Sequence, residues 1–416
     1  MPKLKVIGKQ YLSGELVVSG AKNSAVALIP ASILCDEVVS INNVPNISDI
    51  DDLENILTYL NADVVRHDDT VTINSKYISN RVIPSDLSKK LRASYYFMGA
   101  LLGRFKKADM YFPGGCSIGE RPINLHLKGF RELGAKITEE GDYFHLEAKE
   151  LRGAKIYLDV PSVGATINIM LAAVRAKGTT TIENAAMEPE IVNIATYLNN
   201  MGAKIRGAGT GIIKIKGVSH LHGCFHEVIP DRIEAGTFMV MGALLGKDLT
   251  VSRIIPSHIE SLTSKLKEAG VEMEVGVDYI RFMEPKTYKH INVRTLVYPG
   301  FPTDLQQIII PFLTQCEGTS IVEETIYENR FQNIPDTVKM GANIEVINNE
   351  YAIVRGGTPL YGKEVVATDL RGGASLLICA LIAEGESVID NIHYILRGYE
   401  NIAKKLQDVG AKIELI

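Results

Sequence analysis

Apolar residues are concentrated in six stretches that are hydrophobic almost all round a helix and rich in alanine and glycine. These stretches are KNSAVALIPASIL, RASYYFMGALLG, GATINIMLAAVRAKG, EAGTFMVMGALLG, TDLQQIIIPFL and GGASLLICALIAEG. A helix without a polar face is typical of a buried position. Other helical stretches, such as YENIAKKLQDVG, carry one charged face and indicate surface helices. The pattern therefore predicts buried and exposed helices in alternation.

A short phrase closes each predicted surface helix and recurs every 68 to 73 residues. The phrase reads LNADV at Leu60, LGAKI at Leu133, MGAKI at Met201, AGVEM at Ala269, MGANI at Met340 and VGAKI at Val409. Gly or Asn in its second position suits a left-handed helix stop, and a strand follows. Such a period indicates six repeats, each with the order strand, buried helix, strand, surface helix, strand, strand. The fold class is α/β.

The sixth repeat ends at Ile416, directly after its GAKIELI strand, whereas the N-terminal LKVIGKQYLSGELVVSG has strand character and no helix. We therefore expect the N-terminus to complete the last repeat. Because one core rarely grows past about 250–300 residues, a chain of 416 residues indicates two domains. We predict a three-repeat domain over residues 21–229, carrying the Cys116 loop. A second, over 1–20 plus 230–416, carries Asp304 and Arg397.

Composition narrows the class of protein. The net charge of −5 argues against a nucleic-acid or anionic-membrane partner, because proteins that bind such partners usually have a basic surface. Five scattered cysteines without a CxxC pair, no signal peptide and no membrane span predict a soluble cytoplasmic protein. The run SHLHGCFH, with His220, His222, Cys224 and His226 at alternate positions, is a weak zinc pattern. We interpret it as a surface strand and expect no metal.

One residue just before each buried helix occupies an equivalent place in all six repeats. These residues are Lys22, Arg92, Ser162, Arg232, Asp304 and Arg371. Helix N-termini favour anions, and four of these positions add a cation, so they indicate an anionic ligand. Asp304 is the one acid among the six; it is either a general base for a hydroxyl or an ordinary helix N-terminal aspartate.

Two further arginines, Arg121 and Arg397, are predicted to start the surface helices of repeats two and six. Together with Lys22 and Arg371 they form a cationic set suited to phosphate or carboxylate. In PGGCSIGERP, Cys116 lies between glycines and Arg121, a setting that lowers a thiol pKa on a mobile loop. The alternative is a buried, inert cysteine.

Ten segments together resemble the UDP-N-acetylglucosamine 1-carboxyvinyltransferase family. They are SGAKNSA, LRAS, PGGCSIGERPINLHLKG, PSVGAT, TIENAAMEPEI, IPDRIEAGTF, YPGFPTD, TIYENRF, ATDLRGGASL and RGYE, and they span essentially the whole chain. The resemblance implies a two-domain inside-out α/β barrel. It also implies transfer of the enolpyruvyl group of phosphoenolpyruvate to the 3′-hydroxyl of UDP-N-acetylglucosamine, with release of phosphate, at the start of peptidoglycan synthesis.

The resemblance also implies roles for individual residues. Cys116 is the general acid that can bond covalently to phosphoenolpyruvate, Asp304 is the base, and Lys22 and Arg397 assist catalysis. Phosphoenolpyruvate is bound by Lys22, Asn23, Arg121, Arg371 and Arg397. UDP-N-acetylglucosamine is bound by Asn23, Arg92, Arg121, Pro122, Ile123, Asn124, Leu125, Ser162, Val163, Gly164, Asp304 and Ile326. No cofactor is implied.

The chain departs from the family pattern at Leu396, where many relatives have Asp, and at Val160, where some have Lys. Without that carboxylate at position 396, we expect Arg397 to be oriented differently from its counterpart in those relatives. Two rival functions stay open: a shikimate-pathway enolpyruvyl transferase, and a non-catalytic nucleotide-sugar sensor on the same fold. The Cys116 loop argues against the first, and the presence of both an acid and a base argues against the second.

Overall fold

The computed structural model describes residues 2–112 and 122–416. Its strands are β1 (Leu4–Ile7), β2 (Leu12–Val17), β3 (Val38–Asn42), β4 (Asp63–His67), β5 (Thr70–Asn74), β6 (Lys107–Tyr111), β7 (Lys136–Glu140), β8 (Tyr143–Glu147), β9 (Lys155–Tyr157), β10 (Thr179–Glu183), β11 (Lys204–Arg206), β12 (Ile212–Lys216), β13 (Phe225–Glu227), β14 (Gly246–Ser252), β15 (Met273–Val275), β16 (Tyr279–Phe282), β17 (Val293–Arg294), β18 (Thr319–Glu323), β19 (Asn343–Ile347), β20 (Tyr351–Arg355), β21 (Glu364–Val366), β22 (Glu386–Asp390) and β23 (Lys412–Leu415).

The helices alternate with these strands. They are α1 (Lys22–Ala31), α2 (Ser48–Tyr59), α3 (Ser85–Ser88), α4 (Tyr96–Phe105), α5 (Asn124–Glu132), α6 (Val163–Ala173), α7 (Pro189–Asn200), α8 (Arg232–Leu245), α9 (Glu260–Ala269), α10 (Gln306–Gln315), α11 (Ile334–Lys339), α12 (Leu370–Ile382), α13 (His393–Leu396) and α14 (Ile402–Asp408). Short 3₁₀ helices at Ser32–Leu34, Arg92–Tyr95, Pro256–Ile259 and Thr303–Leu305 adjoin four of them.

The strands of the described residues form six sheets with one shared topology. Five have four strands, in the orders β13-β3-β5-β4, β9-β10-β12-β11, β2-β14-β16-β15, β17-β18-β20-β19 and β21-β22-β1-β23. In each, the first two strands are parallel and the other two pairings are antiparallel. The sixth sheet is β6-β8-β7, and a parallel bridge between Ile83 and Met110 stands where the others have a fourth strand. The predicted six-fold repeat is confirmed.

The N-terminal segment closes the sixth repeat, as the sequence predicted. Leu4 of β1 lies opposite Ile389 on one side and Leu415 on the other, so β1 is the inner strand that the sixth repeat lacks. The expectation was incomplete for β2, which pairs in parallel with β14 and thereby begins the fourth repeat. In the same way β13 pairs in parallel with β3 and begins the first repeat. Both closures join segments far apart in the chain.

The predicted helix stops are also confirmed. Each surface helix ends at a residue with φ between +71° and +114°, a region that Gly and Asn tolerate best. These residues are Asn61, Gly134, Gly202, Gly270, Gly341 and Gly410.

The described residues divide into two compact units. Unit A comprises residues 20–112 and 122–229, and unit B comprises residues 2–19 and 230–416. The buried helices α1, α4 and α6 lie in the core of unit A, and α8, α10 and α12 lie in that of unit B. Each unit therefore has a hydrophobic core of its own, as expected of a domain.

Candidate active site

The six equivalent positions all lie at N-termini of buried helices. Lys22 and Arg232 are the first residues of α1 and α8, and Arg371 is the second residue of α12. Arg92 and Asp304 lie in the 3₁₀ turns that precede α4 and α10, and Ser162 caps α6 through a bond from Ala165 N to its Oγ (3.3 Å). The sequence pattern had thus located equivalent structural positions.

Helices α8 and α12 also have aspartate N-caps, which were not predicted from the sequence. The arginines stand beside these caps and do not replace them. Asp231 Oδ1 accepts bonds from the backbone N–H groups of Ile233 and Glu234, at 2.8 and 3.0 Å. Asp369 caps α12 in the same way. Each helix therefore carries an ordinary aspartate cap, with an arginine one or two residues later.

In unit A, Lys22 forms an ion pair with Asp49. The Nζ–Oδ2 distance is 2.6 Å, and the side chains are only 12% and 2% exposed. Asp49 stands in the first turn of α2, which favours a carboxylate because the helix dipole is positive there. Lys22 is therefore held in one place with its charge compensated. Asn23, the next residue, is half-buried.

His126 is the second feature of unit A; it was not among the predicted site residues, although the segment PGGCSIGERPINLHLKG contains it. The side chain is buried in α5, and its Nδ1 lies 2.8 Å from Nδ2 of Asn168 on α6. The Asn168 amide is oriented by two backbone groups, since its Oδ1 accepts from Gly99 N (3.0 Å) and its Nδ2 donates to Tyr95 O (3.1 Å). Nδ1 of His126 must therefore accept, and the ring proton is on Nε2.

Burial and the nearby charge of Arg92 lower the pKa of His126 to about 3. The imidazole is therefore neutral at physiological pH and offers one donor, Nε2–H. A side chain at Gly164 would put its Cβ 2.8 Å from the Tyr95 hydroxyl and 2.9 Å from His126 Cε1. Only glycine fits between these two rings at the start of α6.

The segment from Pro122 to Leu125 alternates in exposure. Pro122 and Asn124 are exposed, whereas the side chains of Ile123 and Leu125 belong to the core of unit A. Val163 is half-buried. Any ligand contact of Ile123 or Leu125 must therefore use the backbone rather than the side chain.

In unit B, Asp304 is bonded by two arginines. Its Oδ1 accepts a short hydrogen bond from Arg330 Nη2, and its Oδ2 accepts one from Arg371 Nη2 at 3.3 Å. Both arginine side chains are at most 4% exposed, whereas the Asp304 side chain is 28% exposed. Asp304 is thus an accessible carboxylate on a buried cationic support, and its ionised form is favoured. Arg330 was not among the predicted site residues, although the TIYENRF segment contains it.

Arg371 retains hydrogen-bonding capacity. Its buried Nη1 has no hydrogen-bond partner among the described residues. Its guanidinium lies over the ring of Tyr399, 5.4 Å from the centroid, and the Tyr399 hydroxyl lies 2.8 Å from the Thr237 hydroxyl. Burial alone would lower the pKa of Arg371, but Tyr399, Asp304 and Asp231 raise it above its ordinary value. A permanently charged donor without a partner is suited to an anionic ligand.

The predicted position of Arg397 was wrong in detail. It does not start a surface helix: α13 ends at Leu396, Arg397 caps its C-terminus, and α14 begins at Ile402. The cause is the short α13, which the sequence pattern did not separate from α14. Arg397 is half-buried, Leu396 is 36% exposed, and Ile326 is half-buried after β18.

Cys116 and Arg121 lie outside the described residues. Burial raises the pKa of Cys35, and raises that of Cys224 to about 11 and those of Cys316 and Cys379 to about 12. These four thiols are protonated at neutral pH and poorly nucleophilic.

The histidine-rich run is not one exposed strand. His220 and His222 precede β13, and His226 lies within it and is buried. Across residues 2–112 and 122–416, no three His, Cys, Asp or Glu side chains are grouped so that they could hold a metal ion. In the same residues, no helix has the length and apolar character needed to cross a membrane.

The sequence matches one family model over residues 6–406, that of EPSP synthase (3-phosphoshikimate 1-carboxyvinyltransferase). Relatives named UDP-N-acetylglucosamine 1-carboxyvinyltransferase 2 are more than half identical. The one from Listeria monocytogenes serotype 4b is 52% identical, covering 99% of this chain and 97% of the relative. The one from Bacillus cereus is 53% identical, covering 99% and 96%.

Solved structures with the same fold include the enolpyruvyl transferase NikO from Streptomyces tendae. It has a TM-score of 0.89 and 25% identity, covering 100% of this chain and 98% of that one. EPSP synthase from Acinetobacter baumannii has a TM-score of 0.76 at 18% identity, covering 99% of both chains. The fold is therefore the two-domain inside-out α/β barrel of enolpyruvyl transferases.

Proposed function

Because this chain belongs to the family of UDP-N-acetylglucosamine 1-carboxyvinyltransferases, we propose that it transfers the enolpyruvyl group of phosphoenolpyruvate to the 3′-hydroxyl of UDP-N-acetylglucosamine. The reaction releases phosphate and is the first committed step of peptidoglycan synthesis. Relatives that are 52–53% identical over 99% of the chain support this assignment. The cytoplasmic location stays a prediction.

The observation that carries the proposal is the Asp304 carboxylate beside Arg371. Asp304 is accessible and held in its ionised form, as a general base for the sugar hydroxyl requires. Nη1 of Arg371, which has no hydrogen-bond partner within residues 2–112 and 122–416, is a charged donor beside it and suits a carboxylate or phosphate. A base for a hydroxyl and a donor for an anion thus lie next to each other.

In the proposed reaction, Asp304 accepts the proton of the 3′-hydroxyl while that oxygen attacks the central carbon of phosphoenolpyruvate. Cys116 donates a proton to the methylene carbon, which gives a tetrahedral ketal. Loss of phosphate and return of a proton from the new methyl group to the Cys116 thiolate then regenerate the enol double bond. In a separate branch of this proposal, Cys116 can bond covalently to phosphoenolpyruvate: its S–H adds across the double bond, with sulfur on the central carbon and the proton on the methylene carbon.

Binding roles follow the family pattern. Phosphoenolpyruvate is assigned to Lys22, Asn23, Arg121, Arg371 and Arg397. The nucleotide sugar is assigned to Asn23, Arg92, Ser162, Val163, Gly164, Asp304, Ile326 and the run from Arg121 to Leu125. The buried side chains of Ile123 and Leu125 restrict those two residues to backbone contacts.

Phosphate release by the purified protein tests the proposal. We expect release only with both substrates present and equal rates with and without a chelator. In Asp304→Asn, we expect turnover at least ~10²-fold slower with both substrates still bound, the scale of a lost general base. Thr358→Ser, beside the C-terminal end of α10, is a conservative control and should leave turnover unchanged.

The two rival functions predict other results. Turnover of shikimate 3-phosphate at an equal rate would favour the shikimate-pathway enzyme. Binding of UDP-N-acetylglucosamine without phosphate release would favour a sensor. Near-normal turnover of Asp304→Asn would leave Asp304 as an ordinary helix N-terminal residue.

A further inference from the structure

The buried carboxylate of Glu324 holds together three separate segments of unit B. Glu324 directly follows β18 and is 4% exposed. Its Oε1 accepts from Thr295 Oγ1 (3.0 Å), Ile326 N (2.8 Å) and Tyr327 N (3.2 Å). Its Oε2 accepts from Thr303 Oγ1 (3.0 Å). The two oxygens therefore receive four hydrogen bonds, and the carboxylate is well satisfied for a buried group.

The bond from Thr303 extends this network to Asp304. Arg330 Nε donates to the Thr303 hydroxyl oxygen at 3.2 Å, and Arg330 Nη2 donates to Asp304 Oδ1. An ionised carboxylate only accepts and a guanidinium only donates. The Thr303 proton must therefore point to Glu324, and the chain of bonds runs in one direction, from Arg330 through Thr303 to Glu324.

We propose that Glu324 is a positioning residue for the reaction: it fixes the Thr303–Asp304 turn and the backbone at Ile326 as one unit. This inference rests on the proposed function, in which Asp304 is the base and Ile326 contacts the nucleotide sugar. Glu324 itself touches no reacting atom. It acts by holding the Asp304 carboxylate and the backbone at Ile326 in place relative to each other. A displacement of about 1 Å in a group that contacts the substrate can lower the rate about 10²-fold.

The ionised form of Glu324 is essential to this role. Burial raises the pKa of Glu324, while bonds from Ile326, Thr295 and Thr303 and the charge of Arg330 oppose that rise. In Glu324→Gln an NH₂ group replaces one acceptor oxygen. If the NH₂ group faces the backbone N–H groups of Ile326 and Tyr327, donor meets donor and that side of the network must open. If it faces Thr303, the hydroxyl oxygen can accept from it, but the Thr303 proton then loses its acceptor.

Kinetics of Glu324→Gln and Thr303→Val test the proposal. Thr303→Val keeps the shape of the side chain and removes the bridging hydroxyl. For each variant we expect kcat to fall ~10- to 100-fold and the KM for UDP-N-acetylglucosamine to rise several-fold, with the KM for phosphoenolpyruvate within ~2-fold. Thr303→Ser, which keeps the hydroxyl, should retain near-normal kcat.

The neighbouring Glu323 supplies a matched control. Its side chain is 27% exposed and pairs with Arg294 at 3.3 Å, so Glu323→Gln should leave all three parameters within ~2-fold. Because Glu324 and Thr303 act through one chain of bonds, the double variant should lose no more kcat than the worse single variant.

Three results would overturn the inference. One is a lowered Tm in Glu324→Gln or Thr303→Val with unchanged kcat and KM, which would make the network merely structural. Another is full additivity in the double variant. The third is absence of turnover in the unaltered protein, which refutes the proposed function itself. The two failures are distinguishable, because this one is seen before any variant is made, whereas the first two are seen only in the variants.

Discussion

Acid should destabilise unit A through His126, and the effect can be worked out from the structure. The imidazole is buried, neutral and bonded at Nδ1 by Asn168. Its pKa is about 3 in the folded protein, against 6.5 for the ordinary group. Between pH 3 and 6.5, the imidazole is therefore mostly protonated in the unfolded state and mostly neutral in the folded state. The stabilising contribution is fully present above pH 6.5 and is lost as the pH falls towards 3.

The size of this loss is well defined at pH 5. An unfolded histidine is then almost fully protonated while His126 stays neutral, which gives about 2 kcal/mol of lost stability relative to pH 8. A folded-state pKa of about 4 instead of 3 changes this result by less than ~0.1 kcal/mol. The predicted loss is therefore nearly the same for any folded-state pKa of about 4 or below.

The assay is urea unfolding followed by far-UV circular dichroism at pH 8, 6 and 5, on the unaltered protein and on His126→Asn. The asparagine keeps an acceptor near the Nδ1 position, so Asn168 retains a partner. Other titrating groups cancel in the comparison. We expect the unaltered protein to lose about 2 kcal/mol more than His126→Asn between pH 8 and pH 5. His67→Asn, at a side chain that is 89% exposed, is the control and should behave like the unaltered protein.

Equal pH dependence in the unaltered protein and in His126→Asn would refute this reasoning. So would an imidazole proton signal of His126 that titrates near pH 6.5 in the folded protein. Either result would mean that the ring is hydrated or that its proton is shared differently with Asn168.

Three further predictions concern other residues. Arg397→Ala should weaken phosphoenolpyruvate binding at least ~10-fold more than nucleotide-sugar binding, measured by calorimetry with each ligand, since a charged anion contact is lost; equal losses would contradict the assignment. Fosfomycin, a small anionic epoxide, should alkylate Cys116 alone, because burial keeps the other four thiols protonated: Cys35, Cys224, Cys316 and Cys379. Peptide mapping is the readout, and adducts spread over several cysteines would argue against an activated thiol at Cys116. Burial raises the pKa of Glu234 to about 7. As the pH rises from 5 to 8, we therefore expect the free energy of unfolding, measured in urea, to fall by about 2–3 kcal/mol more in the unaltered protein than in Glu234→Gln. A difference between the two proteins that stays constant with pH would refute this.

The repeat made most of the fold predictable. Gly and Asn at the six helix stops mark a backbone conformation that other residues adopt at a cost, so their spacing located the surface helices. Counting strands then showed that the sixth repeat lacked one, and β1 supplies it. The destination of β2 was not predictable in this way, because a parallel pairing with β14 depends on residues more than 200 positions away.

The candidate site was predictable only in part. Equivalence between repeats identified Lys22 and Asp304, since each occupies a place that the repeat defines. Their partners, Asp49 and Arg330, come from other elements and carry no repeat signal. Arg397 was misplaced because α13 has only four residues, too few for a helical period to separate it from the following turn.

These partners change how the cationic positions should be understood. Lys22 is paired with Asp49, and Arg371 shares Asp304 with Arg330, so the cations are not bare charges awaiting a ligand. A buried charge without compensation would cost several kcal/mol, and removing one partner of such a pair typically costs about 3–5 kcal/mol. The compensating carboxylates therefore permit cations to be buried and fixed before any ligand arrives. An anion that binds to Nη1 of Arg371 adds a bond to a guanidinium whose position Asp304 already fixes, so little side-chain ordering remains to oppose binding.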